Sequence, residues 1–266
     1  MWVGCEVDLQ GGNPSRVAGY NSAFTVEQRM EWVLEEMNRS ADKVPNLIMW
    51  YVEEPDIVGH EFGIDSPQAI AKVEQLDSLL YVFFTSVRAS PVFDRTGFIL
   101  LSDHGMSTPE RVVNLYNLLD STRIRRHVTG LPLNLEPDED YQREAYDIIS
   151  GIEGVTPYFR EETSERWHYG SNRERIMPLI VVPDPGVYVE YSPVTSMLDG
   201  GSVHGYDPLT PDMSMIFFAS GPGFKTDYLQ KPFQNHNLYL IIATILGLNP
   251  APNDGVWEDI KGIFIE

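Results

Sequence analysis

Cysteine occurs once in the 266 residues, at Cys5. No disulfide can form within the chain, cysteine usage assigns no redox compartment, and Cys5 itself reads as a small apolar filler. Basic residues are scarce: 19 Lys and Arg stand against 39 Asp and Glu, a formal net charge of -20. A mean surface potential of that sign repels polyanions and excludes a nucleic-acid-binding scaffold. A small anionic ligand stays compatible with it where bound cations invert the local field. Long apolar runs are also missing. The longest near the end, Leu238 to Leu248, covers about half of the ~20 residues a membrane-spanning helix needs. The first ten residues, MWVGCEVDLQ, hold two acids and no base, which is not the pattern of a secretory signal. Internal repeats and low-complexity linkers are absent from the sequence.

What is present is a globular composition, 42% apolar and 11% aromatic, ample for a packed core. Val26, Met30, Val33, Leu34 and Met37 recur at helical spacing and predict an amphipathic helix ending near Asn38. The unbroken run Leu47 to Val52 predicts a strand buried on both faces, as in a parallel sheet. Ser66-Pro67 opens a second helix with Ile70, Val73, Leu76, Leu80, Phe83 and Val87 on its apolar stripe. A strand over Gly97 to Leu101 then completes a βαβ unit. From about 120 to 175 the sequence is polar with weak periodicity and reads as a less regular excursion. Two β segments follow, Pro178 to Val182 and Gly186 to Tyr191, separated by Pro183-Asp184-Pro185. A strand over Met213 to Ala219 and a helix from about Asn235 to Leu246 close the pattern. One α/β domain over residues 1–266 is the economical reading.

Ligands of open α/β sheets sit beyond the carboxyl ends of the strands. Three polar clusters hold such positions. VEEPDIVGHEFG follows the run ending at Val52 and carries Asp56 and His60. SDHGM follows Leu101 and carries Asp103 and His104. GSVHGYD precedes the strand at Met213 and carries His204. Singly, each cluster is explained as turn residues with a hydrogen-bonded histidine. Together they offer the oxygen and nitrogen donors that suit Zn²⁺, and paired metals about 3.5–4 Å apart clamp the attacking and leaving oxygens of a phosphoryl displacement. Gly59, Gly105 and Gly205 beside them permit close backbone approach.

These motifs, YVEEPDIVGHEFG, LLSDHGM and GSVHGYDP, with MIFFASGPGFK after them, resemble the catalytic domain of the nucleotide pyrophosphatase/phosphodiesterase family in the alkaline phosphatase-like superfamily. The resemblance runs from Met1-Trp2-Val3-Gly4 to Pro250-Ala251-Pro252-Asn253-Asp254-Gly255. It implies an α/β/α sandwich with a mostly parallel sheet, and a hydrolase of phosphodiester or pyrophosphate bonds that uses two Zn²⁺. By motif, Asp56, His60 and His204 would hold one zinc, while Asp103 and His104 would help hold the other. The family's remaining ligands for the second zinc are an Asp and a nucleophilic Thr on an earlier strand and helix, and no such segment is present in these residues. The resemblance therefore implies a fragment with one full zinc site, no catalytic nucleophile and no turnover of its own.

Tyr20 stands where the family places an aromatic group against a nucleotide base. Glu53 and Glu54 accompany the metal segment and would orient it or its ligands. His168 reads as structural, and His127 and His236 have no motif support. Val3, Ile64 and Pro208 depart from the family's usual residues, so nucleotide and phosphocholine-lipid substrates both stay open. Animal members are secreted or held at the cell surface, which makes an extracellular location the implied one. Two other readings compete: another alkaline phosphatase-like enzyme such as a phosphoethanolamine transferase, which shares SDHGM, and a non-catalytic zinc-binding or interaction protein.

Overall fold

The computed structural model describes residues 2–3, 14–19, 21, 23–169, 174–194 and 200–265; Cys5 and Tyr20 lie outside them. In chain order the regular elements begin with β1 (Trp2–Val3), β2 (Val17–Ala18), α1 (Val26–Met37), β3 (Met49–Trp50), α2 (Asp56–Phe62) and α3 (Pro67–Val87). Next come β4 (Phe98–Leu101), β5 (Arg111–Asn114), β6 (Ile124–Val128), β7 (Leu133–Pro137), α4 (Gln142–Ser150) and β8 (Val155–Phe159). The last are β9 (Leu179–Pro183), β10 (Val187–Glu190), β11 (Phe217–Ser220), α5 (Asn237–Ile245) and α6 (Trp257–Ile260). They fall into two compact units, each discontinuous in sequence: Met1–Glu53, Val73–Asp103 and Ile216–Glu266 form the first, Glu54–Lys72 and His104–Met215 the second. Among the described residues no helix is long and apolar enough to cross a membrane.

In the first unit, β1 pairs in parallel with both β2 and β3, and β4 pairs antiparallel with β11. Helix α1 begins with a capping box: the Thr25 hydroxyl accepts from the Gln28 amide at 3.3 Å, and the Gln28 side chain accepts from the Thr25 amide at 2.9 Å. Two orphan amides are thereby satisfied. The helix buries Met30, Val33 and Met37 against Phe83 and Val87 of α3, with Ile48 and Trp50 packed alongside. The run from Leu47 is not buried on both faces: Ile48 and Trp50 turn inward, while Leu47, Met49 and Tyr51 are 37 to 44% exposed. The helix expected at Pro67 is present, with the Ser66 hydroxyl accepting from the Ala69 amide. Its apolar stripe is buried only toward the C-terminal end, at Phe83 and Val87; Ile70 and Val73 are exposed.

In the second unit, β5 and β10 pair in parallel, and an antiparallel sheet runs in the order β6-β7-β9-β8. The segment expected to be irregular thus contributes three strands and α4. Its regularity is hidden because the edge strand β6 is stabilised by charge pairs across the ladder. Arg126 meets Glu136, and Arg125 Nε donates to Asp138 at 2.7 Å beyond the end of β7. Cross-strand pairs of this kind replace apolar alternation. At the other edge, β8 carries Pro157 in mid-strand, where a missing amide is tolerated because one side of the strand is unpaired. Beneath the sheet, Leu133, Leu135, Ala145, Ile149, Leu179 and Val181 are fully buried in one cluster. Truncating any of its Leu or Ile side chains to Ala would cost about 2–5 kcal/mol.

Candidate metal centre

The segment after β3 is a short helix. Asp56 is its first residue, so Asp56 and His60 stand at i and i+4 on one face. Three interactions fix this helix. An acid in the first turn meets the positive end of the helix dipole. Glu54 Oε2 accepts from the Val58 amide at 3.3 Å, and its other oxygen lies 3.5 Å from Lys72 Nζ. Gly63, at φ +88°, ends the helix. Glu53 belongs to the first unit and makes a two-toothed ion pair with the buried Arg29 at 2.7 and 2.8 Å. Arg29 also donates to the Tyr51 carbonyl, so Glu53 anchors the end of β3 to α1.

His204 lies on a loop with no regular structure of its own. That loop is anchored on both sides of the histidine. Val203 and Ser107 exchange a pair of backbone hydrogen bonds at 2.8 Å. Tyr206 is buried, donates its hydroxyl to the Val187 carbonyl at 3.0 Å, and has its pKa pushed up to about 12 by burial. Asp207 is clamped by both guanidinium nitrogens of Arg166, one at 2.8 Å. The hydrogen bond from Arg166 holds the Asp207 carboxyl below its ordinary value. Gly205 takes φ +99°, and a Cβ there would lie 2.2 Å from the Leu131 carbonyl oxygen.

At the centre sits Asp56 Oδ1, a buried oxygen with no hydrogen-bond partner. Around it stand His60 Nε2 at 3.3 Å, His204 Nε2 at 3.6 Å and His104 Nε2 at 3.8 Å. Among the described residues, Asp56, His60 and His204 form a group whose ligand atoms all lie within 4.8 Å of one another. His104 stacks flat on His204, ring centroids 3.5 Å apart and planes within 12°. His60 Nδ1 is 2.8 Å from the Ser202 carbonyl and His104 Nδ1 is 2.9 Å from the Gly105 carbonyl. A carbonyl only accepts, so each Nδ1 carries a proton, which leaves Nε2 as the nitrogen that can offer a lone pair to the centre.

An unpartnered buried carboxylate oxygen facing imidazole nitrogens is the donor set of a divalent cation site. Two imidazoles and a carboxylate whose donor atoms lie within 4.8 Å of one another fit zinc, so the residues present suit the group that the sequence motifs imply. Asp103 follows β4 in the first unit and is not one of the three converging ligands. His168, His127 and His236 lie outside the group: His168 caps a single helical turn at φ +50°, His127 packs its ring 5.0 Å from Tyr191, and His236 immediately precedes α5. Two hydroxyls outside the candidate ligand set, those of Ser202 and Thr108, meet at 2.7 Å beside the ligands. The position of Ser202 two residues before His204 was the one available pointer to them in the sequence.

Comparison with known proteins agrees with this architecture. An uncharacterized pyrophosphatase/phosphodiesterase of Schizosaccharomyces pombe is 32% identical over 97% of the chain, and the match spans 56% of that relative. Murine ectonucleotide pyrophosphatase/phosphodiesterase 5 superposes with a TM-score of 0.90 at 28% identity, over 99% of this chain and 71% of the murine one. An inactive threonine-to-alanine variant of that murine protein, solved in complex with AMP, also superposes at 0.90, with 27% identity and the same coverage. The fold is therefore the alkaline phosphatase-like α/β fold. The family model for type I phosphodiesterase/nucleotide pyrophosphatase matches residues 1–207, and the chain belongs to that family.

Proposed function

We propose that the chain is the metal-binding part of a zinc-dependent hydrolase that cleaves phosphodiester or pyrophosphate bonds in nucleotides or related phosphodiesters. The observation that carries this reading is the buried, unpartnered Asp56 Oδ1 surrounded by imidazole nitrogens. Asp56, His60 and His204 would hold one Zn²⁺. Asp103 and His104 would contribute to a second, and Tyr20 would stack on a base. Bound zinc supplies Lewis acidity toward a phosphoryl oxygen. The chain's own residues orient the ligands: the Ser202 carbonyl fixes the His60 ring, and Arg166 steadies the loop of His204 through Asp207. A nucleotide substrate is supported by the AMP complex of the murine relative, and an extracellular location by that relative's "ecto" name.

We infer that the 266 residues alone hold one zinc firmly but do not turn over substrate, because the family's threonine nucleophile is not among them. Both units draw on separated stretches of chain, which supports assigning them to a single catalytic domain. Elemental analysis after dialysis should find one tightly held zinc per chain, lost in His204→Ala. A chain that retains no zinc, or a His204→Ala variant that keeps it, overturns the metal assignment. A nitrophenyl ester of a nucleotide should remain intact, and zinc-dependent hydrolysis by these residues would refute the inactivity.

A further inference from the structure

We propose that Ser202, backed by Thr108, is the positioning residue that sets the geometry of the Asp56–His60–His204 group. It does so by fastening helix α2 to the loop of His204. The inference rests on the metal-binding reading above and assigns a role to two hydroxyls that are not themselves ligands.

Ser202 is 1% exposed, and its four polar contacts all face the elements that carry the histidines. Its amide donates to the Gly59 carbonyl at 2.9 Å, inside α2. Its carbonyl accepts from His60 Nδ1 at 2.8 Å. Its hydroxyl accepts from the Ile64 amide at 3.1 Å, just beyond the end of α2. The same oxygen is 2.7 Å from Thr108 Oγ1. A hydroxyl has one proton and two lone pairs, so both hydroxyl contacts are satisfied at once. Thr108 follows Ser107, which is paired to Val203 and whose hydroxyl donates to Asp212 at 2.8 Å.

The backbone contacts could be made by many residues at position 202, but the hydroxyl contacts require Ser or Thr. Through them one buried side chain joins three stretches: the end of the helix carrying Asp56 and His60, the stretch after His104, and the loop of His204. Ser202→Ala would leave the Ile64 amide and the Thr108 hydroxyl without their partner. The His60 ring would then be held by a carbonyl on a looser loop. Interactions that orient metal ligands in this way change metal affinity by about 10–100-fold when removed.

The test uses the 266-residue chain, with zinc affinity read by competition against a chromophoric chelator and ligand geometry by the visible spectrum of the Co²⁺-loaded protein. Ser202→Ala should bind zinc about 10–100-fold more weakly and alter the Co²⁺ bands. Thr108→Val should weaken binding in the same direction, and Thr108→Ser, which keeps the hydroxyl, should restore it. Unchanged affinity and spectrum in Ser202→Ala overturn the proposal. Faster hydrogen exchange at Ile64 with unchanged zinc affinity also overturns it, because the role would then be structural only. Should Ser202→Ala fail to fold, Thr108→Val at its more exposed position decides alone, with wild-type affinity as the contrary result. Failure of the wild-type chain to bind zinc or Co²⁺ would sink the metal reading and this inference together, whereas wild-type binding with indifferent variants sinks only the inference.

Discussion

Of the three stretches that bring histidines to Asp56 Oδ1, helix α2 and the loop of His204 hold theirs by different means. Helix α2 sets the spacing of Asp56 and His60 by backbone geometry, since i and i+4 share a face, and takes only its fastening from Ser202. The loop of His204 has no repeating hydrogen bonds. It depends on a few anchors: the Val203–Ser107 bridge, the buried Tyr206, the Arg166–Asp207 clamp and the fixed turn at Gly205. A ligand on a helix inherits its position from many weak, redundant contacts. A ligand on a loop depends on a few, so single substitutions should harm the loop more.

The sharpest way to break that contrast is to add the same methyl group to a glycine on each side. Gly205→Ala places a Cβ 2.2 Å from the Leu131 carbonyl in a left-handed backbone conformation, and should cost roughly 3 kcal/mol or more. Gly59→Ala meets the Met106 sulfur at 2.5 Å, the end of a flexible side chain, and gains about 1 kcal/mol of helix propensity. Thermal unfolding of the metal-free chain should therefore fall far more for Gly205→Ala. Equal losses would show that the loop is no more vulnerable than the helix.

A smaller effect is expected from the clamp, and it depends on pH. The folded Asp207 carboxyl lies below its ordinary value of 3.8 because Arg166 hydrogen-bonds its charged form. A depressed carboxylate contributes stability above its unfolded value, and that contribution is lost as pH falls through the folded value. Arg166→Ala should therefore unfold more easily than wild type at neutral pH, with the gap narrowing below about pH 4. A gap that stays constant through acid titration would assign the effect to the contact of Arg166 with the Trp167 ring instead.

The ligands themselves were readable because metal chemistry accepts few residue types. Asp56, His60, Asp103, His104 and His204 stand in dense motifs near strand ends, and three of them converge. That Asp56 and His60 share a helix was hidden behind Pro55 and Gly59, which read as loop residues, although their spacing of four is that of a helical turn. Ser202 and Thr108 were not readable as anchors, the nearness of Ser202 to His204 being the one pointer. A serine among glycines reads as a turn residue, and its partners Ile64 and Thr108 lie 138 and 94 residues away in sequence. Strand β6 escaped for a related reason: its arginines are matched by acids on and just beyond β7, and nothing in a local window shows that pairing.

The helix side of the comparison has its own weakest point, and it should yield the smallest effect. Glu54 precedes α2 and accepts from the Val58 amide at 3.3 Å, a long hydrogen bond, while Lys72 at 3.5 Å partly neutralises it. Removing a side chain that caps a helix costs about 0.5–2 kcal/mol, and a long bond sits at the low end. Glu54→Ala should thus lower stability by roughly 0.5–1 kcal/mol. Zinc affinity should change little, because Asp56 and His60 remain one turn apart on a helix still stitched to Ser202 through Gly59 and Ile64. A large loss of zinc affinity in this variant, measured by the same chelator competition, would mean that the helix too depends on a single anchor. The division between helix-held and loop-held ligands would then fail.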